Sequence, residues 1–114
     1  MTPPPKKMAR VRVGSDGMNT TERAYADRLE LLRRAGEIRC WRFEPVKFRL
    51  AKGTYYTPDF EVITDGGELE YHEVKGFWRD DARVKIKVAA RLFDDRRFVA
   101  VQWVKRVWQF EEIG

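Results

Sequence analysis

The stretch LEYHEVK, residues Leu69–Lys75, predicts the β-strand around which the rest of the chain is organised. Apolar and polar residues alternate along it, and in a strand the side chains at positions i and i+2 lie on the same face. One face of this strand therefore carries Leu69, Tyr71, Glu73 and Lys75. The face begins apolar and ends with a carboxylate beside an ammonium group, so we expect a hydrophobic core that opens into a site at the end of the strand.

Turn and strand signals surround this segment. Asp65-Gly66-Gly67 is typical of a β-hairpin turn, and it predicts a preceding strand from Tyr55 to Ile63. Upstream, residues 41–50 alternate between apolar and polar except at Pro45, which predicts another strand with a bend at the proline. Downstream, residues 98–104 form an apolar, β-rich run that predicts a buried strand. The last apolar residues of the chain fit either a further strand or a last helical turn.

Two helices complete the pattern. Asn19 and Glu22 have the spacing of a capping box, and apolar residues at helical spacing follow, which predicts a helix over residues 20–35. Residues 80–93 predict a second helix with an aspartate as its cap. The element order is then α-β-β-β-α-β, which indicates an α/β protein with a mixed central sheet flanked by helices.

The composition narrows the class of protein. The 114 residues are 43% hydrophobic and 13% aromatic, which excludes a disordered chain and favours one domain with a hydrophobic core. A single cysteine, Cys40, and a single histidine, His72, exclude an internal disulfide and zinc sites built from several such residues. No apolar run approaches the roughly 18 residues of a membrane span. The opening MTPPPKKMAR lacks the apolar stretch of a secretory signal, so we expect a cytoplasmic protein with no membrane partner.

The charge favours an acidic partner. Twenty-three Lys and Arg residues against eighteen Asp and Glu residues give a net charge of +5, which favours a polyanion such as nucleic acid. Residues 1–18 contain prolines, glycines and basic side chains, from which we expect a flexible basic arm. A single folded domain is then predicted over residues 19–114.

The predicted second helix carries basic residues and two apolar arcs. Arg83, Lys87 and Arg91 lie at i, i+4 and i+8 and form a basic stripe, which is either a solvated face or a contact surface for the DNA backbone. Lys85 lies between the arcs, where it either snorkels to solvent or reaches the site carboxylates or a phosphate. We expect the helix to be covered on two sides, by the sheet and by the last segment or a second subunit. The arcs are Ala82, Ile86, Ala89, Ala90 and Phe93 on one side and Val84, Val88 and Leu92 on the other.

A pair of carboxylates is the chemical centre of this pattern. The predicted hairpin can bring Asp59 within reach of Glu73, because neighbouring strands lie only about 5 Å apart. Two carboxylates without a nearby histidine or cysteine favour Mg²⁺ or Mn²⁺ over Zn²⁺. Lys75 beside them could orient a water molecule or offset the charge of a phosphate, which are the parts of metal-assisted phosphodiester hydrolysis. A surface cross-strand ion pair is the alternative interpretation of the same residues.

The motifs around these residues resemble a known family. Pro58-Asp59 followed by Glu73-Val74-Lys75 is similar to the PD-(D/E)xK nuclease superfamily, whose restriction-endonuclease-like core has the α-β-β-β-α-β order. The strings TER-x-Y, YTPDF and HEVKGFWRDDARVKIKVAA also resemble a group of small phage and prophage endonucleases related to junction-resolving enzymes. The resemblance runs from about Asn19 to Val104.

The resemblance implies a role for each matching residue. Asp59 and Glu73 would bind Mg²⁺, with Mn²⁺ as a substitute and the Val74 carbonyl as a further ligand. Lys75 would be the catalytic lysine. Glu22 matches an extra helical carboxylate of the family and would serve a second metal or a metal-bound water, although the capping box also explains a glutamate there.

The function expected from the resemblance is a metal-dependent endodeoxyribonuclease. Trp78 and Arg79 follow the catalytic strand, where they could stack on unpaired bases, with plain core packing as the alternative for the tryptophan. Selectivity for branched, flap or junction DNA is expected, and cutting a junction requires two sites and hence a homodimer. The rival from another class is a non-catalytic DNA-binding or recombination accessory module on the same fold, and an RNA-directed nuclease is a third alternative.

Overall fold

The computed structural model describes residues 17–75 and 80–114, and the helices and strands named below are those of these residues. The predicted basic arm falls almost entirely on residues 1–16, and Trp78 and Arg79 fall in 76–79, so these predictions lie outside the described residues. The helices are α1 (Thr20–Arg34) and α2 (Asp80–Leu92). The strands are β1 (Ile38–Phe43), β2 (Phe48–Ala51), β3 (Thr54–Tyr56), β4 (Phe60–Thr64), β5 (Leu69–Lys75), β6 (Arg97–Val104) and β7 (Val107–Ile113).

The central sheet has five strands in the order β1-β4-β5-β6-β7. The β5–β6 pair is parallel, and the other neighbouring pairs are antiparallel. A parallel pair needs a long crossover between its strands, and the segment that contains α2 supplies it. The predicted class, α/β with a mixed central sheet and flanking helices, is therefore confirmed.

Each face of the sheet has its own hydrophobic core. Helix α1 packs on one face, where Tyr25 and Leu29 are almost completely buried against Phe60 and Val101. Helix α2 and the small two-stranded β2–β3 sheet cover the other face. The core on that side is formed by Phe48, Tyr56, Tyr71, Ile86, Ala89, Ala90, Phe98, Ala100 and Ile113.

Two elements form as the sequence predicts. Strand β5 spans Leu69–Lys75, and its alternate residues point to opposite cores, since Tyr71 packs on the α2 side and Val74 on the α1 side. Helix α1 begins with the predicted capping box. The Asn19 side chain accepts a hydrogen bond of 2.8 Å from the Glu22 backbone N–H, and the Glu22 carboxylate accepts one of 3.0 Å from the Asn19 N–H. The cap therefore satisfies two backbone donors that the start of a helix would leave unpaired.

The prediction of one strand from Tyr55 to Ile63 is wrong, because this stretch divides between two sheets. Residues 54–56 form β3 and pair with β2, while β4 begins only at Phe60 and pairs with β1 and β5. Pro58 lies between them and has no backbone N–H to give to a ladder. The bend predicted at Pro45 is likewise a complete departure from the central sheet, because β2 belongs to the small sheet.

The end of the chain is a strand. Strand β7 pairs antiparallel with β6 through a two-residue turn at Lys105-Arg106, whose φ values of 52° and 65° are both positive. Two positive φ values are typical of the type I′ turn, which matches the twist of a hairpin. Neither described helix is long and apolar enough to span a membrane.

Helix α2 has the two predicted apolar arcs, and only one of them is covered in the described residues. Ile86 and Ala89 have no exposed surface. On the other arc Val84 is 58% exposed, Val88 38% and Leu92 53%. The sheet therefore covers the first arc, as predicted, and the second arc is exposed and available to a partner.

Candidate active site at one end of the central sheet

Three neighbouring strands bring carboxylates to the same end of the sheet. In the β1–β4 ladder Phe43 pairs with Phe60, and one residue beyond it the Glu44 N–H donates a hydrogen bond of 2.7 Å to the Asp59 carbonyl. On the other side, the Val74 N–H donates a hydrogen bond of 2.8 Å to Oδ2 of Asp59. Asp59 is therefore fixed between β1 and β5 by its main chain and by its side chain, and it is only 5% exposed.

Glu73 is the second buried carboxylate of the site. Both of its oxygens have partners: the Tyr56 hydroxyl donates to Oε1 at 2.8 Å, and the Lys75 ammonium lies 3.1 Å from Oε2. The predicted face of β5 therefore does end in a carboxylate beside an ammonium group. Tyr56 comes from β3, outside the central sheet, and burial followed by the charge of Glu73 raises the pKa of its hydroxyl.

Burial and mutual repulsion make the carboxylate pair electrostatically unfavourable. Burial, then the negative charge of Glu73, raises the pKa of Asp59 from 3.8 to about 8, although the Val74 hydrogen bond and Lys75 act in the opposite direction. Burial alone would lower the pKa of Lys75. The charges of Glu73 and Asp59 outweigh that effect and raise it, so the lysine is a cation at neutral pH. The folded site therefore favours the neutral form of Asp59, unless a bound cation takes the place of its proton.

Glu22 on α1 belongs to the same electrostatic group. It is 8% exposed, and its charge is among the causes that raise the pKa of Asp59 and the pKa of Glu44. Its capping hydrogen bond to Asn19 is present at the same time. The capping interpretation and the site interpretation of Glu22 are therefore compatible, because the start of α1 lies near the carboxylate end of the sheet.

The site contains two further residues, Glu44, to which the sequence assigned no role, and Tyr56, which the sequence indicated as structural with contact to the substrate as the alternative. Burial, followed by the charges of Glu22 and Glu73, raises the pKa of the Glu44 carboxyl, although much of this side chain is still exposed. Glu44 also has a φ of 46°, a left-handed conformation that is uncommon for residues other than glycine. The only sequence signal for Glu44 was its position directly before Pro45, at the end of a run in which apolar and polar residues alternate.

The carboxylate oxygens of Asp59 and Glu73 suit a hard divalent cation whose remaining ligands are not supplied by the protein. Among residues 17–75 and 80–114, no group of three or more His, Cys, Asp or Glu side chains is arranged to hold a metal ion. Mg²⁺ does not need such a cage, because it is usually held by one or two carboxylates together with water and substrate phosphates. Asp59 and Glu73 fit that requirement, and a cation between them would relieve their repulsion. The Val74 carbonyl stays a predicted ligand.

The predicted DNA-binding residues that the structure describes lie on α2, which carries none of the site carboxylates. Lys85, Lys87 and Arg91 are exposed on α2. Arg83 is partly buried and forms an ion pair of 2.9 Å with Glu111 on β7, so part of its charge is already matched within the chain. The structure therefore brings together Glu22, Asp59, Glu73 and Lys75, while the basic stripe lies on α2.

His72 lies on the opposite face of β5 from Glu73 and Lys75. A hydrogen bond of 2.6 Å joins its Nδ1 to the Tyr25 hydroxyl, and one of 2.9 Å joins its Nε2 to Glu70. Arg97 continues the network at 2.9 Å from the same glutamate. This hydrogen-bond network ties α1 to the central sheet.

Comparisons of the chain with protein-family models, with curated proteins and with solved structures returned no match. What the structure defines is an α/β protein with a mixed five-stranded sheet. A buried carboxylate pair and a lysine lie at one end of that sheet. Function is then inferred from these residues and their geometry.

Proposed function

We propose that the protein is a Mg²⁺-dependent endodeoxyribonuclease with a restriction-endonuclease-like core, a member of the PD-(D/E)xK superfamily. The observation that carries this proposal is the juxtaposition of Asp59, Glu73 and Lys75. Two buried carboxylates repel each other in the folded protein, and an ammonium group lies 3.1 Å from one of them. Such a costly arrangement is expected where a cation and a negatively charged substrate meet.

The residues of the site have separate tasks in this proposal. A divalent cation bound by Asp59 and Glu73 would supply Lewis acidity and lower the pKa of the attacking water. Lys75 carries a positive charge that can leave Glu73 and stabilise the scissile phosphate or orient the water. The Val74 N–H fixes the side chain of Asp59, so this carboxylate needs little reorganisation when the substrate arrives. Glu22 adds a further negative group at the start of α1.

Positive charge elsewhere on the chain suits the approach of DNA. The net charge is +5 even though the site itself is rich in carboxylates. Lys85, Lys87 and Arg91 are exposed and would contact phosphates, while Arg83 would first have to leave Glu111. Trp78 and Arg79, next to the catalytic strand in sequence, are proposed to contact unpaired bases.

We expect selectivity for DNA structure, with branched, flap or junction DNA preferred. The described residues form a five-stranded sheet, a small two-stranded sheet and two helices, with no additional module for reading bases among them. Resolving a junction requires two cuts, so we propose a homodimer, and the exposed arc of α2 at Val84, Val88 and Leu92 is available for it. The cellular setting that fits is phage or prophage DNA recombination in the bacterial cytoplasm.

One feature favours the alternative of a non-catalytic DNA-binding or recombination accessory module. Both oxygens of Glu73 already have partners within the chain, Tyr56 and Lys75. The carboxylate is therefore partly satisfied without a metal. A protein that keeps the fold but not the chemistry could use Lys75 only as a structural ion pair.

Cleavage of a labelled DNA panel tests the two functions against each other. Duplex, single strand, flap, splayed fork and four-way junction would be incubated with Mg²⁺, Mn²⁺ or EDTA, with matching RNA strands as competitors. We expect metal-dependent cleavage that Lys75→Ala reduces by about 10²–10⁴-fold. Lys52→Ala, which removes an exposed lysine in the β2–β3 turn, is the matched control and should cleave as wild type does. Tight binding of DNA with no cleavage under any metal would favour the accessory module instead.

A further inference from the structure

Tyr56 reaches Glu73 from outside the central sheet. It is the last residue of β3, it is 6% exposed, and it pairs with Phe48 across the small sheet. Its hydroxyl donates a hydrogen bond of 2.8 Å to Oε1 of Glu73. The β2–β3 sheet packs against α2, and the ring of Tyr56 belongs to the hydrophobic core on that face. A buried side chain with a packed ring has little freedom to move its hydroxyl.

The two partners of Glu73 differ in how firmly they are held. Lys75 is only partly buried and has a long, flexible stem, so its ammonium can move when a cation or a phosphate arrives. Tyr56 cannot follow in the same way because its ring is packed in the core. If a cation bound at this site, Oε1 would be expected to stay bonded to the tyrosine, and Oε2 would be the oxygen available to the cation.

This difference has a consequence for the choice of metal. Ca²⁺ accepts carboxylates that bind through both oxygens and tolerates irregular coordination. Mg²⁺ requires near-ideal octahedral geometry and is well served by carboxylates that bind through one oxygen. A hydroxyl that is hydrogen-bonded to Oε1 of Glu73 favours coordination through one oxygen over coordination through both.

We propose, on the basis of the function proposed above, that Tyr56 is a positioning residue that holds Glu73 for one-oxygen coordination and thereby favours Mg²⁺ over Ca²⁺. It would act through Glu73 and would not touch the substrate. Partners of this kind typically change metal affinity or activity by about 10–100-fold when they are removed.

The chain contains a matched control for this hydrogen bond. The Tyr71 hydroxyl donates to Oε2 of Glu61 at 2.9 Å, and Tyr71 is 1% exposed. The two pairs have the same chemistry and similar burial, and both lie on the α2 side of the sheet. Only the Tyr56 pair involves a proposed metal ligand. Tyr56→Phe and Tyr71→Phe should thus destabilise the fold to a similar degree while differing in their effect on metal binding.

Calorimetric titration of the full chain with Mg²⁺, Mn²⁺ and Ca²⁺ tests the proposal. We expect Tyr56→Phe to weaken Mg²⁺ binding by about 10–100-fold, to weaken Ca²⁺ binding less, and to lower kcat on the preferred DNA. Tyr71→Phe should leave both affinities within about threefold of wild type. Equal metal affinities in Tyr56→Phe and wild type, or equal losses in the two variants, would overturn the positioning role.

A second measurement is independent of whether Tyr56→Phe folds. In a crystal structure of the wild-type chain with Mn²⁺, we expect Glu73 to coordinate through one oxygen while the other still accepts from Tyr56. Coordination through both oxygens, with the tyrosine bond broken, would overturn the proposal. Absence of metal-dependent DNA cleavage by wild type would instead contradict the nuclease function itself, so the two failures can be told apart.

Discussion

Replacing Asp59 with asparagine should make the metal-free protein more stable at neutral pH and abolish its stabilisation by divalent cations. Asp59 is buried beside Glu73, and the two carboxylates repel each other. Asparagine has nearly the same shape, and its carbonyl can still accept the hydrogen bond from the Val74 N–H. The substitution therefore removes a charge while keeping the local packing.

The pKa of Asp59 gives the size and the sign of the effect. Its value is about 8 in the folded protein and 3.8 in the unfolded chain. The unfolded chain has lost this proton above about pH 4, whereas the folded chain keeps it until about pH 8, so stability falls as the pH rises through this window. One pKa unit corresponds to about 1.4 kcal/mol, which sets a limit of about 4 kcal/mol at pH 7. An amide does not reproduce every contact of the protonated carboxyl group, so we expect a net gain of about 1–3 kcal/mol for Asp59→Asn.

Urea unfolding followed by tryptophan fluorescence measures this gain. Wild type and Asp59→Asn would be compared in EDTA at about pH 5 and about pH 8, and then with Mg²⁺ or Mn²⁺. The gain should be largest at the higher pH, and only wild type should be stabilised by the cations. Asp65→Asn, in the exposed hairpin turn, is the matched control and should change neither result. If Asp59→Asn is no more stable than wild type in EDTA at the higher pH, repulsion between Asp59 and Glu73 does not destabilise the folded protein.

Three further predictions concern the fold. The hydrogen bond from Arg33 is the largest cause that lowers the pKa of Glu30 to about 2. Glu30→Gln should therefore lower the free energy of unfolding by about 1–2 kcal/mol above about pH 4.5. The loss should shrink as the pH falls towards 2, which urea unfolding at several pH values would measure. Ile86→Ala should cost about 2–5 kcal/mol in the same assay because its side chain is fully buried, whereas Val88→Ala, on the exposed side of the same helix, should cost under about 1 kcal/mol. Replacing the turn Lys105-Arg106 with Asn-Gly should raise the melting temperature, since both positions have positive φ; a lower melting temperature would contradict the assigned turn.

The elements that the sequence predicts well are those specified by neighbouring residues. Strand β5 has the predicted bounds because alternation, an Asp65-Gly66-Gly67 turn and a following glycine all act within a few residues of it. Helix α1 is set in the same way by its capping box. Strand β7 was ambiguous because its turn, Lys105-Arg106, has positive φ values without the glycine or asparagine that usually signals them.

Long-range pairing decided what the sequence could not. The Lys52-Gly53 turn indicates that β2 and β3 pair, but nothing in residues 46–56 says that they form a sheet apart from the central one, because both arrangements satisfy the same alternation. The nearness of Asp59 to Glu73 followed from the hairpin, and the structure has it. Glu44 and Tyr56 join the site through β1 and the small sheet, and their positions depend on contacts far along the chain.

The departures from the predicted strands are the same features that build the site. Strand β1 ends at Phe43, and Glu44 follows in a left-handed conformation before Pro45. At this point the chain leaves the central sheet. The chain then forms β2 and β3, which bring Tyr56 into contact with Glu73 on the face that α2 covers. Pro58 then separates β3 from β4, which leaves Asp59 at the end of the sheet with its side chain bonded to β5. Left-handed residues other than glycine cost of order 1–3 kcal/mol and persist where the surrounding structure requires them. We therefore expect Glu44→Gly, measured by urea unfolding, to cost little stability or to increase it, because glycine adopts this conformation without strain. A loss of more than about 1 kcal/mol would contradict the strain assigned to Glu44.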